Sequence, residues 1–171
     1  MLVLLCAVAK SVWAQKATTV STEQELTTAI ADGAANIQLA KDIQLSKYLN
    51  IEGKTVTIDL NGHKLSRSLS SHSNVGHVIW AHAGSKLTLT SSAGGYGTIE
   101  GGKAYNGGAI HIPYGNEVSV NHVIFQKNSV LGQGGAIWNN GTFTATDCTF
   151  KSNEANDVKS WGRGSGDHFS S

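Results

Sequence analysis

The chain has 171 residues, of which 20 are glycine and only one is proline. This length suits a single domain, and the composition favours short strands joined by many turns over a bundle of helices. Thirteen basic and twelve acidic side chains give a formal net charge of +1. Because the chain lacks the basic excess that attracts phosphate backbones or anionic lipid, we expect no nucleic-acid partner.

Residues 1–14 form a predicted signal peptide. An apolar run over 2–9 is followed by small or modest side chains up to Ala14, which is the arrangement that signal peptidase recognises. Cleavage there leaves a mature chain with one cysteine, Cys148. The run is too short for a membrane helix, which needs about 20 apolar residues. We therefore expect a secreted chain without a transmembrane segment.

A short amphipathic helix is predicted next, within residues 15–35. Ser21 or Thr22 can cap its first turn, and Gly33 supplies the backbone freedom that ends a helix. Its apolar residues are one turn apart and comprise Leu26, Ala29 and Ile30. Since a solenoid exposes unpaired backbone at its ends, we expect this helix to cover the N-terminal opening.

From residue 36 to residue 158 the hydrophobic period changes to two, which indicates half-buried strands. Asn61-Gly62, Gly94-Gly95 and Asn140-Gly141 separate these strands and favour sharp turns. Residues 159–171 contain several glycines and no apolar period. We expect them to form a flexible tail, and we expect the chain to be incomplete at this end.

Internal repetition identifies the architecture. The tetrapeptide G-G-A-I at 107–110 recurs at 134–137, and the twelve residues from Glu117 align without a gap with those from Thr142. A degenerate earlier copy begins at Gly76. Repeats of this length stack as coils of a solenoid. The sequence therefore predicts an all-β fold, a right-handed parallel β-helix with a short N-terminal capping α-helix.

Each repeated residue has a predicted structural role. The glycine pairs allow a positive φ at a sharp corner, the phenylalanines stack in the core, and the asparagines form an amide ladder that satisfies turn backbone groups. The residues assigned to these roles are Gly107, Gly108, Phe125, Asn128, Gly134, Gly135, Phe150 and Asn153. The same alignment places Cys148 at an apolar position in the core.

The pairing of G-G-A-[ILV] with F-x-x-N resembles the double motif of the polymorphic outer membrane proteins and related bacterial β-helix surface proteins. Residues 107–128 and 134–153 carry the two copies. The resemblance implies a β-helix of the pectate-lyase type that is secreted or exposed at the cell surface, in association with the bacterial outer membrane. It also implies an adhesin-like role.

A column of rings is the predicted binding site. Trp80, His111 and Trp138 each follow an isoleucine at the same position of a repeat, so strand alternation places them outside on one face. Such a strip can contact a polysaccharide or a protein of a host or cell surface. Further predicted contacts come from three tyrosines, Tyr96, Tyr105 and Tyr114. Alternatively, the rings stack on one another or a loop over 93–106 covers them.

The sequence indicates no catalytic residue, no metal site and no cofactor. Asp59 alternates with apolar neighbours, and no acidic residues recur at matching positions to flank a glycosidic bond. His77 and His82 are five residues apart, so an extended strand would place them on opposite faces. A polysaccharide lyase or glycoside hydrolase remains one alternative to a binding module, and a purely structural stalk remains another.

Overall fold

The computed structural model describes residues 16–156, which comprise eighteen strands and one helix. The predicted signal peptide at 1–14 and the predicted tail at 159–171 lie outside these residues. Before the first coil the chain forms strand β1 (Thr18–Val20) and helix α1 (Glu23–Ala31). The remaining strands are β2 (Asn36–Leu39), β3 (Ile43–Leu45), β4 (Leu49–Glu52), β5 (Thr55–Asp59), β6 (Lys64–Arg67), β7 (Ile79–His82), β8 (Lys86–Thr90), β9 (Gly97–Glu100), β10 (Lys103–Ala104), β11 (Ile110–Ile112), β12 (Glu117–Asn121), β13 (Val123–Gln126), β14 (Ser129–Val130), β15 (Ile137–Asn139), β16 (Thr142–Thr146), β17 (Thr149–Lys151) and β18 (Glu154–Ala155).

The strands form four parallel sheets, because successive circuits of the chain, here called coils, stack on one another. Sheet A has the order β1-β2-β5-β8-β12-β16, and sheet B has the order β3-β6-β9-β13-β17. Sheet C has the order β4-β7-β11-β15, and the short sheet D has the order β10-β14-β18. A coil runs through sheets A, B and C in turn, and later coils add a strand of sheet D before sheet C. The predicted all-β parallel β-helix is confirmed.

Strand alternation builds the core. Val56, Leu87, Val118 and Phe143 occupy the same position on four successive strands of sheet A, and the first three are buried. Burial of such a side chain contributes roughly 1.5–3 kcal/mol relative to exposure. Because every coil places apolar side chains at the same positions, the core is a continuous column along the helix axis.

Helix α1 closes the N-terminal end of this column, as predicted. Oγ1 of Thr22 accepts a hydrogen bond from the backbone N–H of Glu25 at 3.1 Å, which caps the first turn. Gly33 has a φ of +81° just beyond the last turn. Leu26, Ala29 and Ile30 are buried, and the helix contacts β1, β3 and β4. Strand β1, which precedes the helix and pairs with β2, was not predicted.

The repeat alignment is reproduced by the strand register. Phe125 pairs with Phe150, and their rings stack with centroids 4.9 Å apart and an interplanar angle of 12°. Cys148 is half-buried against the core. The first glycine of each pair has a positive φ, +64° at Gly107 and +69° at Gly134. The register therefore places the repeated phenylalanines and glycines at equivalent positions of adjacent coils.

The second glycine of each pair is required for space. A Cβ atom at Gly108 would lie 2.4 Å from the carbonyl oxygen of Gly135, and one at Gly135 would lie 3.0 Å from the backbone of Glu154. Adjacent coils therefore approach closely at this corner. Here Asn128 and Asn153 form the predicted amide ladder, with Nδ2 of Asn128 donating to Oδ1 of Asn153 at 3.0 Å.

Candidate functional site

Trp80, His111 and Trp138 lie on adjacent strands of sheet C. His111 pairs directly with Trp80 on β7 and with Trp138 on β15, and all three side chains are half-buried. Further rings contact this row from the same side. The ring column therefore comprises Tyr48, His77, Trp80, His82, His111 and Trp138.

The rings of the column stack on one another. His111 and Trp138 are 4.3 Å apart between centroids with an interplanar angle of 14°, and Trp80 and His82 are 4.5 Å apart at 28°. Trp80 meets His111 edge to face at 6.2 Å. Strand β15 is the last strand of sheet C within residues 16–156. Trp138 is therefore the last ring of the column among the described residues.

Trp80 lies inside the column rather than at its surface. Its ring contacts Tyr48, His77, His82 and His111, and its Nε1 is buried without a hydrogen-bond partner among the described residues. Tyr48 lies 5.4 Å from Trp80 between centroids. The interior of the column is therefore a packed aromatic cluster, and its accessible parts are the two ends and the ring edges.

The expectation that His77 and His82 lie on opposite faces is wrong. Both rings contact Trp80, His77 at 5.5 Å and His82 at 4.5 Å between centroids. The spacing rule holds only along a continuous strand, and β7 begins at Ile79 after a bend at 77–78. The bend returns His77 to the same side as His82.

Burial favours the neutral form of two imidazole rings of the column, those of His77 and His111. His77 is 3% exposed, and this burial, together with the nearby His111 and Arg67, lowers its pKa to about 3. Burial also lowers the pKa of His111, although a hydrogen bond from Nδ1 to the carbonyl oxygen of Asn106 opposes that shift. Neutral rings can pack together without electrostatic repulsion.

The three predicted tyrosine contacts lie at different corners of the coil. Tyr105 follows β10 and Tyr114 follows β11, so both border the sheet C strand of the third coil, and Tyr114 is 90% exposed. Tyr96 lies at the corner between sheets A and B, where it stacks on His122 at 3.9 Å. The structure does not bring Tyr96 to the ring column. The segment 93–106 does not cover the rings as a loop, because it contributes strands β9 and β10 to the β-helix.

A groove of about 840 Å³ lies at the N-terminal end of the ring column, next to Tyr48. Helix α1 forms one wall, and the stretch from the end of β3 through β4 forms the other. The groove is defined by Glu23, Thr27, Lys47, Tyr48, Asn50, Glu52 and Lys54. Tyr48 belongs to both features, because it lines the groove and contacts Trp80. The sequence did not predict this groove, since it depends on the packing of a helix against a coil and not on a repeat.

Polar side chains connect the groove to the column. Oδ1 of Asn50 lies 2.6 Å from Nε2 of His82, and Nδ2 of Asn50 donates to Oε2 of Glu52 at 3.3 Å. Both Asn50 and Glu52 are exposed. Opposite them, Nζ of Lys54 lies 3.4 Å from the carbonyl oxygen of Ala31 at the end of α1. The groove therefore presents hydrogen-bond donors and acceptors beside an aromatic ring.

Two carboxylates line this groove, but one of them is occupied in holding the fold. Glu23 accepts hydrogen bonds from the backbone N–H and hydroxyl of Ser46 at 2.9 and 3.0 Å and from the N–H of Lys47 at 3.2 Å. Burial alone would raise the pKa of Glu23, yet these bonds outweigh it and lower the pKa. A glycosidase acid requires the opposite shift. Glu23 is thus a structural carboxylate that fixes the turn after β3.

Asp59 is likewise a structural carboxylate. Its oxygens accept hydrogen bonds from Gln38 at 2.9 Å, from the N–H of Asn61 at 2.8 Å, and from both the N–H and the hydroxyl of Ser92. Burial opposes ionisation, but these bonds lower its pKa. Within residues 16–156, no three His, Cys, Asp or Glu side chains are grouped so as to hold a metal ion.

One comparison with known proteins finds a match, and it covers a single short segment of the chain. A family model described as the Chlamydia polymorphic membrane protein repeat matches residues 122–140, which comprise β13, β14 and β15 and so include Asn128 and Trp138. No curated protein matches the chain, and no solved structure matches it. No helix among the described residues is long and apolar enough to cross a membrane. The repeat match supports a relationship between this chain and the polymorphic membrane proteins.

Proposed function

We propose that the chain is a non-catalytic module of a bacterial protein that is secreted or exposed at the outer membrane, and that it binds glycans through the ring column. The repeat similar to those of chlamydial polymorphic membrane proteins supports the surface location. The signal peptide predicted at residues 1–14 agrees with export. The carrying observation is the row of half-buried rings formed by Trp80, His111 and Trp138 on adjacent strands of sheet C.

The ring of Trp138 suits a sugar ligand because one of its faces is fixed against His111 and the side chain is only half-buried. Stacking on His111 orients the indole, so little conformational freedom is lost on binding. Its other face can stack on the apolar face of a sugar ring, and aromatic rings with a polar edge are suited to such interfaces. Tyr105 and Tyr114 border the same sheet and are exposed, so they can extend the contact.

Binding fits the site better than catalysis. A hydrolase needs a general acid and a second carboxylate on either side of the bond, about 5 to 9.5 Å apart. Glu23 and Asp59, the two carboxylates discussed above, are held ionised by hydrogen bonds to their own fold. The fold alone does not supply an activity.

A structural stalk is the second candidate, and the mutual stacking of the rings favours it. In a stalk, Trp80, His111 and Trp138 would stabilise adjacent coils and contact no ligand. The stalk and the glycan-binding module predict different effects of removing the Trp138 ring. Trp138 contributes less to packing than the enclosed Trp80, so its removal should lower ligand affinity more than stability if the column binds a glycan.

The test is a glycan array probed with the purified 171-residue chain and with Trp138→Ala. We expect the wild type to bind a subset of glycans, and the variant to lose at least tenfold in affinity while its Tm stays within about 3 °C. Tyr96→Ala is the matched control, since it removes an exposed ring at a corner away from the column.

A variant that binds like the wild type would assign the column to the stalk function. A reducing-sugar assay on the bound glycans gives the independent test of catalysis. Release of reducing ends, lost in Glu52→Gln, would replace the binding proposal with a hydrolase.

A further inference from the structure

We infer that the groove between helix α1 and the first coil is a second binding site, that its ligand is an uncharged oligosaccharide, and that it works together with the ring column. The inference rests on the proposed function, because it assigns a further subsite and a chemical class to the same glycan. It is carried by the groove's shape, by its polar groups and by its contact with the column through Tyr48.

The groove has the size of a ligand site. Its volume of about 840 Å³ falls within the roughly 300–1,000 Å³ that small-molecule sites enclose. One wall is α1, which buried Leu26 and Ile30 hold against the core. The other wall combines β4, which is paired with β7 along its length, with the turns on either side of it. A site on such elements needs little ordering when it binds.

The groups inside the groove match the hydroxyl groups of a sugar. Asn50 offers an amide donor and acceptor, Glu52 offers acceptors, and Lys54 offers donors. Each sugar hydroxyl donates one hydrogen bond and accepts others, so it can satisfy both kinds of group. The ring of Tyr48, which is half-buried against Trp80, provides the apolar surface on which a pyranose can lie.

The charges in the groove favour an uncharged ligand. Two carboxylates, Glu23 and Glu52, face two ammonium groups, Lys47 and Lys54, so the formal charge of the lining cancels. An acidic polysaccharide would gain from the lysines only what it lost to the carboxylates. A neutral hexose polymer incurs no such opposition and can use Glu52 and Lys54 as hydrogen-bond partners.

The groove and the column lie in line along sheet C. Asn50 pairs with Trp80 across β4 and β7, and Trp80 is in register with His111 and Trp138 on the following strands. Neighbouring parallel strands are about 4.8 Å apart. A glycan of several residues that begins in the groove can therefore follow the outer edge of sheet C towards Trp138.

The test blocks the groove without touching the column. Thr27 lines the groove from an exposed position on α1, and its hydroxyl bonds only to carbonyl groups of its own helix. Thr27→Trp should fill the groove. Thr28→Trp is the matched control, because Thr28 is the neighbouring exposed threonine on the same helix and does not line the groove.

Calorimetric titration of the full chain with mannohexaose and cellohexaose as neutral probes, and with hexagalacturonate as the acidic probe, measures the effect. We expect at least one neutral probe to bind more tightly than the acidic one, with a Kd at least tenfold weaker in Thr27→Trp and unchanged in Thr28→Trp. Unchanged Tm values in both variants exclude unfolding as the cause.

Two results would overturn the inference and leave the proposed function standing. Neutral binding that survives in Thr27→Trp but is lost in Trp138→Ala would place the ligand on the column alone. Tighter binding of hexagalacturonate than of either neutral probe would refute the chemical class. Failure of every probe to bind the wild type would overturn the inference, and the glycan array would judge the proposed function independently.

Discussion

Asn128 and Asn153 bind one another across two coils. Nδ2 of Asn128 donates to Oδ1 of Asn153 at 3.0 Å, and Oδ1 of Asn128 accepts from the N–H of Gly102 at 3.1 Å. Asn128 is fully buried. The side-chain amide of Asn128 thus forms hydrogen bonds with the coil on either side of it. This explains why asparagine recurs in each F-x-x-N motif.

Asn128→Ala should destabilise the fold by about 2–4 kcal/mol. The change leaves the buried N–H of Gly102 without its acceptor, which costs about 1–3 kcal/mol, and opens a cavity beside it. The measurement is the free energy of unfolding from urea titration. The control is Asn121→Ala, at an exposed position of β12, for which we expect a change within about 0.5 kcal/mol. Equal effects of the two changes would contradict the ladder.

Gly108→Ala should destabilise the fold by about 2–3 kcal/mol through overpacking alone. A Cβ atom there would lie 2.4 Å from the carbonyl oxygen of Gly135, so the coils would have to separate. Gly95→Ala is the control, because a Cβ at Gly95 meets no atom within 4 Å. Thermal unfolding of both variants checks this. A Gly108→Ala protein as stable as the control would show that the corner has room to relax.

Helix α1 should be required for solubility. Replacing both Leu26 and Ile30 with Asp places two unpaired carboxylates against the core, at a cost of several kcal/mol each. We expect unfolding or aggregation, measured by size-exclusion chromatography and circular dichroism. Thr28→Asp changes the exposed face of the same helix and should remain monomeric. A soluble, folded double variant would refute the role of α1 as a cap.

Stability should fall as the pH drops below about 6.5, because His77 is neutral in the fold. Its folded pKa of about 3 lies below the ordinary value of 6.5, so the unfolded chain binds an extra proton between these values. The contribution of neutral His77 to the free energy of unfolding is complete above pH 6.5. It is lost towards pH 3, by at most about 1.4 kcal/mol per pH unit. Tyr48, Trp80, His111 and Arg67 face His77, and none of them is a carboxylate that could stabilise the cation.

The variant that tests this pH dependence is His77→Phe. Both ring nitrogens of His77 are buried without a partner within residues 16–156, so phenylalanine keeps the ring contacts and loses no hydrogen bond. Urea unfolding between pH 7.5 and 5 should show a smaller loss of stability in His77→Phe than in the wild type. The control is Asn121→Ala, which changes an exposed residue that does not titrate and should keep the wild-type slope. An unchanged slope in His77→Phe would assign the pH dependence to other groups.

The parts of the fold that repeat could be predicted, and the parts that occur once could not. The register of Phe125 with Phe150 and of His111 with Trp138 follows from aligned motifs, because stacked coils place equal residues above one another. Strand β1 has only three residues and no counterpart in the repeats. His77 lies in the column because the chain bends at residues 77–78. Strand alternation predicts the side of a residue only along a continuous strand, so it did not predict this position.

The same distinction applies to the candidate site. The column residues on successive strands could be identified from the repeats. The groove could not, because Thr27 and Asn50 are brought together only by the packing of α1 against the first coil. Tyr96 was associated with the column by its residue type, whereas its position in the coil places it at another corner.

Helix α1 covers the first coil through contacts with β1, β3 and β4, and this cover has a consequence for the order of folding. In a solenoid each repeat is stabilised by its neighbours, so a coil formed against the helix-covered end gains its core contacts at once and then serves as the template for the next. A chain that is released from its N-terminus onward could therefore assemble coil by coil in the order of its sequence.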